Sequence, residues 1–517
     1  MDRFPATSDE PAAGESDPGR PLRKPFLLLS GFVLLISAGL IVYSQTMAFV
    51  WDEGFHLLAA QLIDAGRKPY LDFCFPQTPL NAYWNAGWMR ALGESWRVTH
   101  VFAALLTGGS VFLIARFVFA RLAVPDWRLA CAITAACFAG LNTMVVEFGT
   151  VAQAYAIGLF LTVASFRVAI LAVARKGSLL SFAAGLLAGA AAGCSLLTVP
   201  VAPVLLLWIF FYNGLGNRWR KCGSFLAGAV IPFAPVFWLF AKAPRVVFFN
   251  IVQYQALYRR ADWPGATPHD VDVLSGWLNS TQALLMGLLT IAGVWFLTRR
   301  NDWDRARRAE FYLCGWLAAA LAAYIATAHP TFERYFVFAV PFVSVIAAVG
   351  LYAAGSRLVS PTRPFWPAFV VTLLVALALG KGLFDDRDSV VWKDYERIAA
   401  KVDEVTPRNG VLFADELVYF LLKRTPPSGM EFSYSHKLPL SPAQEAALHI
   451  VSFDELKSEI KAGKFDTVET CDDDKIDEWG LPKLFPHRAD VGDCSIFWGK
   501  APVHLTPSSL QLRQRSE

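Results

Sequence analysis

The feature that most constrains this chain is a repeated length. The sequence runs for about twenty apolar residues, breaks at arginines, prolines or glycines, and then runs again. A helix of about that length rises far enough to cross the ~30 Å hydrocarbon core. Backbone groups in lipid must satisfy one another, and a helix does this within a single segment. Eleven such runs are predicted, at roughly 26–46, 97–119, 129–148, 151–173, 179–196, 198–214, 222–241, 277–298, 310–328, 335–354 and 364–383. Only 17% of the 517 residues are charged and 55% are hydrophobic, against about 25% charged in soluble domains. The expected fold class is therefore an α-helical polytopic membrane protein with about eleven transmembrane helices. The first run is too long for a signal-peptide core of roughly 7–15 residues. It reads as an uncleaved anchor behind a disordered tail over residues 1–24, which is polar and rich in Pro, Gly and Ser.

Charge sets the expected orientation. Arg20, Arg23 and Lys24, Arg121 and Arg128, Arg175 and Lys176, Arg218, Arg220 and Lys221, Arg299 to Arg308, and Arg357 and Arg363 fall on one side of the predicted spans. By the positive-inside rule that side is cytoplasmic. Eleven spans that start inside end outside, which predicts a multi-pass protein of the inner membrane with a cytoplasmic N-terminus and an exported C-terminus. The charge balance also divides the chain. Residues 1–384 carry 30 Lys and Arg against 19 Asp and Glu, and residues 385–517 carry 17 against 24. The expected organisation is a transmembrane domain over 25–384, with outer loops at 47–96 and 242–276, and an exported, water-soluble domain over 385–517.

In the first outer loop, WDEGFHLLAAQLIDAG is predicted as a short amphipathic helix ended by Gly66, and Thr78 as the N-cap of a second helix with Pro79 at its first position. Trp84 and Trp88, one turn apart, suit a helix lying in the interface. In the tail, DSVVWKDYERIAAKVDEV, ELVYFLLKR and SFDELKSEIKAGK have helical periodicity, while GVLFAD, FDTVET and CSIFWG read as strands. A small α/β domain fits this alternation. Cys471 and Cys494 both belong to it, where either a disulfide or two buried thiols is consistent with the spacing. The eight cysteines show no CxxC or Cys/His ligand spacing, so no zinc site is expected, and five of them lie in or beside apolar runs.

Asp52 and Glu53 stand where the first apolar run ends, in FVWDEGFHLL. Ionised side chains near a bilayer are costly and point to a working site. At a helix start, exposed N–H groups favour an ionised carboxylate, which suits a base or a metal ligand. Plain helix capping is the alternative, although one cap needs one acid and the capping-box position is Phe55 or His56 rather than Glu or Gln. Glu147, at the predicted outer end of the third run, is the sole carboxylate between Asp126 and Asp262. It is a second catalytic candidate, with snorkelling or pairing as the alternative. Basic residues on the outer side run against the charge bias. Arg259 and Arg260 in LYRRADWPG, Arg334 with Tyr335 in HPTFERYF, and Lys68 are candidates to hold a lipid-linked phosphate, because guanidinium forks match phosphate oxygens. Nonspecific binding of lipid headgroups, or pairing with Glu333 and Asp262, is the alternative for the arginines. His56 and His329 read as ordinary hydrogen-bonded interfacial residues, with a ligand role as the alternative.

A family resemblance rests on this loop. Asp52-Glu53-Gly54, then Pro69-Tyr70-Leu71-Asp72-Phe73, then Pro79-Leu80 up to Trp84, with Arg334-Tyr335 and Pro341 later, resemble the multi-span glycosyltransferases of the GT-C type, in particular the protein O-mannosyltransferase and aminoarabinose-transferase group. The likeness is densest over residues 47–95. It implies a hexosyl or pentosyl transferase that uses a sugar donor on a polyprenyl phosphate, acts on a protein, lipid or glycan acceptor, and has Asp52 as catalytic base with inversion. Near the start of the fourth span, where the group carries a second acid, this chain has Gln153. A divalent metal is left open, and no nucleic-acid partner is expected. A lipid or solute transporter is the competing class, but such proteins tend to carry internal repeats and mid-membrane charges, whereas here the acids gather toward one face.

Overall fold

A computed structural model describes residues 23–46, 50–213, 217–261, 265–299, 303–358, 363–385 and 391–499. The chain divides into two compact units: a membrane unit of residues 1–49 and 76–389, and a second unit in which Val50–Phe75 joins Val390–Glu517. The segment behind the first apolar run therefore belongs to the C-terminal unit.

In chain order the first helices are α1 (Arg23–Ser44), α2 (Val50–Asp64), α3 (Leu80–Leu92), α4 (Trp96–Arg121), α5 (Arg128–Gly140), α6 (Thr143–Phe148), α7 (Ala154–Ala174), α8 (Leu179–Cys194), α9 (Val201–Tyr212) and α10 (Arg218–Val230). There follow α11 (Ala234–Lys242), α12 (Pro244–Phe248), α13 (Tyr254–Ala261), α14 (Ala266–Gly276), α15 (Thr281–Arg299), α16 (Arg305–Ala326), α17 (Val340–Leu358) and α18 (Phe365–Asp385). Among the described residues eight helical segments are long and apolar enough to cross a membrane, and the shorter apolar segments Leu179–Cys194 and Leu196–Tyr212 accompany them. The predicted third run, 129–148, departs from a single span: it is divided between α5 and α6. Gln282 of α15 answers the break, accepting from the Thr143 N–H and donating to the carbonyls of Leu141 and Val375 at 3.0, 2.8 and 3.0 Å. A buried interruption persists where its backbone groups find such partners.

Close helix approach organises this unit. A Cβ at Gly185 or Gly189 of α8 would overlap the carbonyl oxygens of Phe225 and Ala229 on α10, and one at Gly350 of α17 would overlap that of Leu289 on α15. Lipid gives apolar helices little reason to leave it, so backbone contact at small residues supplies the packing. Lys221, 2% exposed, donates to the carbonyls of Ala172 and Arg175 and to Asn213 Oδ1 at 2.6, 2.6 and 2.7 Å, closing the C-terminal end of α7. Thr78 does not cap α3: its hydroxyl donates to the Ala192 carbonyl at 3.3 Å, and Pro79 takes the N-cap position. Trp84 and Trp88 pack edge to face 5.2 Å apart, and Trp88 stacks on Phe102 of α4 at 3.7 Å.

The second unit carries α19 (Trp392–Val405), β1 (Leu412–Phe413), α20 (Glu416–Leu422), α21 (Pro442–Leu448), α22 (Phe453–Lys461), β2 (Thr467–Thr470), α23 (Asp473–Trp479), α24 (Leu481–Leu484), β3 (His487–Val491) and β4 (Cys494–Trp498). Its sheet runs β1-β2-β4-β3, with β1 parallel to β2 and the other pairs antiparallel. Ser452 accepts from the Glu455 N–H and caps α22. Leu456, Ile460, Phe465, Val468, Trp479 and Phe497 form the core. A disulfide joins Cys471 to Cys494.

Candidate functional site

The acid pair lies in the first turn of α2, Asp52 half-buried and Glu53 0% exposed. The helix begins at Val50, so Asp52 does not cap it; both acids face the positive end of the peptide dipoles. The helix is not amphipathic as predicted. Every residue from Glu53 to Leu62 is buried, including His56 and Gln61. Gly54 explains part of this, because a Cβ there would come 3.2 Å from both Glu416 Cβ and Leu417 Cγ. The glycine lets α20 lie against the first turn of α2. Phe55 meets Phe432 edge to face at 4.8 Å, and Gln61 donates to the Phe420 carbonyl at 3.3 Å.

The motif after α2 is a turn built around Asp72. Gly66 has φ +91°, and the buried Tyr70 also takes a left-handed backbone, φ +70°. The Asp72 carboxylate accepts from the Lys68 N–H at 2.7 Å, and the Tyr70 N–H donates to the Phe73 carbonyl at 2.9 Å. Arg67 pairs with Glu431 at 2.9 Å, and Glu431 also accepts from the Gly429 N–H at 2.8 Å. The Lys68 side chain is exposed.

Sequence reasoning did not single out the buried carboxylates of this unit. Glu416 accepts from the Ser433 N–H at 2.7 Å, and Glu469 from the Asp415 N–H at 2.9 Å. Burial pushes the Glu469 carboxyl up to about 7. Burial first, then the charges of Glu416 and Glu469, holds Asp415 well above the ordinary carboxylate range. Burial lowers His56 to about 3 and His436 to about 4, so both rings stay neutral at pH 7. No local sequence signal links Arg67 to a partner 364 residues away.

In the membrane unit, Arg334 lies in the 3-10 helix Glu333–Phe338 that leads into α17. Its guanidinium lies 4.2 Å from the Phe332 ring and 5.6 Å from that of Tyr335, and two aromatic faces orient it. The preceding turn is clamped by Asp270 of α14. Its carboxylate accepts from the Thr331 N–H at 2.7 Å and meets His329 Nδ1 at 2.5 Å, while His269 Nε2 meets the Thr331 carbonyl at 3.0 Å. Burial raises the Asp270 carboxyl, but the Thr331 N–H and His329 outweigh it and hold the group below its ordinary range. Glu147, in α6, shares this unit with Arg334 and Tyr335, and α6 packs against the same 3-10 helix. Arg259 and Arg260 fall in α13, but their side chains lie outside the described residues.

Among the described residues one group, Glu469 with Cys471 and Cys494, brings three metal-ligand types within 4.8 Å. Its two sulfurs are bonded to each other, which removes the thiolates a metal would need.

The architecture matches solved structures at low identity. The structure of ArnT from Cupriavidus metallidurans bound to undecaprenyl phosphate aligns with TM-score 0.66 at 12% identity, over 91% of this chain and 97% of that one. The apo state of the same protein gives the same values. The Archaeoglobus fulgidus oligosaccharyltransferase in its apo form aligns with TM-score 0.51 at 13% identity, over 89% of this chain and 71% of that one. The chain has the GT-C fold. No protein-family model matches the sequence, and no curated protein matches it either. The architecture is that of an α-helical membrane protein bearing a small C-terminal sheet.

Proposed function

We propose that this chain is a membrane glycosyltransferase that moves a sugar from a polyprenyl-phosphate donor to an acceptor hydroxyl on the outer face of the membrane. The observation that carries the reading is the GT-C fold, shared with a structure that holds undecaprenyl phosphate, together with a carboxylate pair at the start of α2. Asp52 is the base, since it keeps partial exposure while Glu53 is buried. Its carboxylate takes the hydroxyl proton as the acceptor oxygen attacks the anomeric carbon. The bond from that carbon to the phosphate oxygen breaks, and the polyprenyl phosphate leaves with the electron pair. Attack opposite the leaving group inverts the anomeric centre.

Arg334, held between Phe332 and Tyr335, is assigned to the departing phosphate, where a preformed guanidinium stabilises developing charge without having to reorganise. The Asp270 clamp fixes the turn that presents it. Glu147, Lys68, Arg259 and Arg260 remain candidates for acceptor or donor contacts. The C-terminal unit is proposed to be exported, as the basic bias of the loops on the opposite side implies. The test is transfer of a radiolabelled sugar from polyprenyl phosphate by membranes carrying Arg334→Lys. The charge is kept and the fork is lost, so transfer is expected to fall at least tenfold. Wild-type rates would remove Arg334 from the site.

A further inference from the structure

The register of the C-terminal sheet brings three reactive groups to one of its ends. Thr470 of β2 pairs with Ser495 of β4, so the next residues outward are Cys471 and Cys494, whose sulfurs are bonded to each other. Residues two apart along a strand share a face, which sets Glu469 beside Cys471. Glu469 Oε1 stands 3.2 Å from Cys471 Sγ, and the carboxylate and both sulfurs lie within 4.8 Å of one another.

The two oxygens of that carboxylate are placed differently. Oε2 accepts from the Asp415 N–H at 2.9 Å, while Oε1 meets no N–H or O–H donor among the described residues and faces the disulfide. Glu469 is 1% exposed, and a buried acceptor left in that state is costly unless it carries a proton. The two sulfurs differ as well. Cys471 is exposed, and Cys494 is 5% exposed. Thiol–disulfide exchange begins with a thiolate attacking a sulfur it can reach, so attack falls on Cys471 and Cys494 is the leaving group. A thiolate released at a buried position is expensive unless a proton meets it. A bond that only stapled the sheet would need neither an open sulfur nor an acid beside it.

We propose that Cys471–Cys494 is an exchangeable disulfide reduced by a dithiol, with Cys471 as the sulfur attacked and Glu469 as the group that hands a proton to Cys494. One thiolate of the dithiol bonds to Cys471 Sγ as the bond between the two cysteines breaks. The electron pair goes to Cys494, and the Glu469 proton follows it. The second thiolate of the dithiol then attacks its partner sulfur in the mixed disulfide, closing the dithiol into a disulfide and releasing Cys471. Cys471 and Glu469 each take one proton from water, which replaces the two that the dithiol gave up. Two electrons pass to the protein, and the link between β2 and β4 beyond Thr470 and Ser495 is opened. The site lies within the C-terminal unit and does not depend on the glycosyltransferase reading.

The charged and titratable groups around Glu469 are Asp415 and Glu416 at the start of α20, Tyr419 of α20, Tyr395 of α19 and Lys475 of α23. Lys475 is drawn toward Asp472 at 3.2 Å. Burial dominates and brings the Glu469 carboxyl to about 7, so the proton it supplies is present below that pH and is lost as pH rises through it.

The test uses the full chain in detergent, treated with dithiothreitol without denaturant, quenched with a maleimide and read by peptide mass spectrometry at Cys471 and Cys494. The bond is expected to open completely while the protein stays folded by its melting curve. The rate constant, divided by the fraction of dithiothreitol present as thiolate, should fall as pH rises through 7. Glu469→Gln should lower that constant at least tenfold at pH 6 and flatten the profile, as for loss of a general acid, and Glu469→Asp should lie between. A second measurement does not depend on Glu469. Oxidised glutathione should modify Cys471 in Cys494→Ser at least tenfold faster than it modifies Cys494 in Cys471→Ser. Reduction only after unfolding in urea, a wild-type rate and pH profile in folded Glu469→Gln, or equal modification of the two single-cysteine variants would each overturn the assignment.

Discussion

In the membrane unit two buried polar side chains are answered mainly by backbone carbonyls, Lys221 reaching two carbonyls and one amide oxygen and Gln282 closing the break between α5 and α6, while the buried Glu310 is held by the Arg121 guanidinium. In the C-terminal unit the buried polar groups are carboxylates gathered near one another. Glu416, Glu431 and Glu469 are each under 7% exposed and are met by backbone N–H groups of Ser433, Gly429 and Asp415. Within lipid a lone charge is expensive and helices pack by letting backbones touch, whereas the C-terminal unit buries acids whose protonation adjusts to the site.

The sharpest way to break this contrast is to obstruct backbone contact. Gly350→Leu places a side chain where the Leu289 carbonyl lies. It is expected to cost more than about 4 kcal/mol, read as loss of monodisperse protein after detergent extraction. Recovery at wild-type yield would mean that α15 and α17 are not held by that approach.

The next test belongs to the C-terminal unit. Cys471→Ser with Cys494→Ser opens a link 23 residues long in sequence, which should lower that unit's stability by about 3 kcal/mol. Urea denaturation followed by tryptophan fluorescence should show an earlier transition in the variant, and wild-type protein with reductant should match it.

Arg67→Gln leaves Glu431 buried without its cation. Arg67 is itself 26% exposed, so a loss of about 2 kcal/mol is expected, below the full cost of breaking a buried pair. Adding Glu431→Gln should restore most of it, and a double-mutant cycle measures the coupling.

The smallest effect is a pH slope. The folded pKa of Glu469, about 7, stands above its unfolded value of about 4.5, so its contribution is full below 4.5 and is lost as pH rises through 7. His436 acts oppositely: its folded pKa, about 4, stands below 6.5, so its contribution is full above 6.5 and is lost as pH falls through 4. The windows overlap and partly cancel. Glu469→Gln is expected to stabilise the unit more at pH 8 than at pH 5, by at most about 3 kcal/mol, since one pKa unit is about 1.4 kcal/mol. His436→Gln should tilt the profile the other way. Parallel profiles for wild type and Glu469→Gln would place that carboxylate in water.

The same contrast governs what could be read from sequence. Apolar runs marked the membrane helices because hydropathy is local, but the division of 129–148 into α5 and α6 turns on Gln282, more than a hundred residues away. The α2 helix and its end at Gly66 were legible from pattern and turn chemistry. Its burial on all sides was not, because that depends on the fit between Gly54 and α20. Strand β3, HRADV, was missed because an edge strand bearing Arg488 and Asp490 has the polar look of a loop. Among the candidate residues, Asp52 in the C-terminal unit and Arg334 in the membrane unit stood out by charge against context. Asp270 did not, since its role comes from contacts with His329 and Thr331 about sixty residues on.

The most direct measurement is sugar transfer from a polyprenyl-phosphate donor by purified Asp52→Asn, with insertion checked by extraction and melting. Loss of a general base should lower the rate by about 10²–10⁴ while the protein stays folded. An Asp52→Asn enzyme that transfers sugar at the wild-type rate would contradict the account.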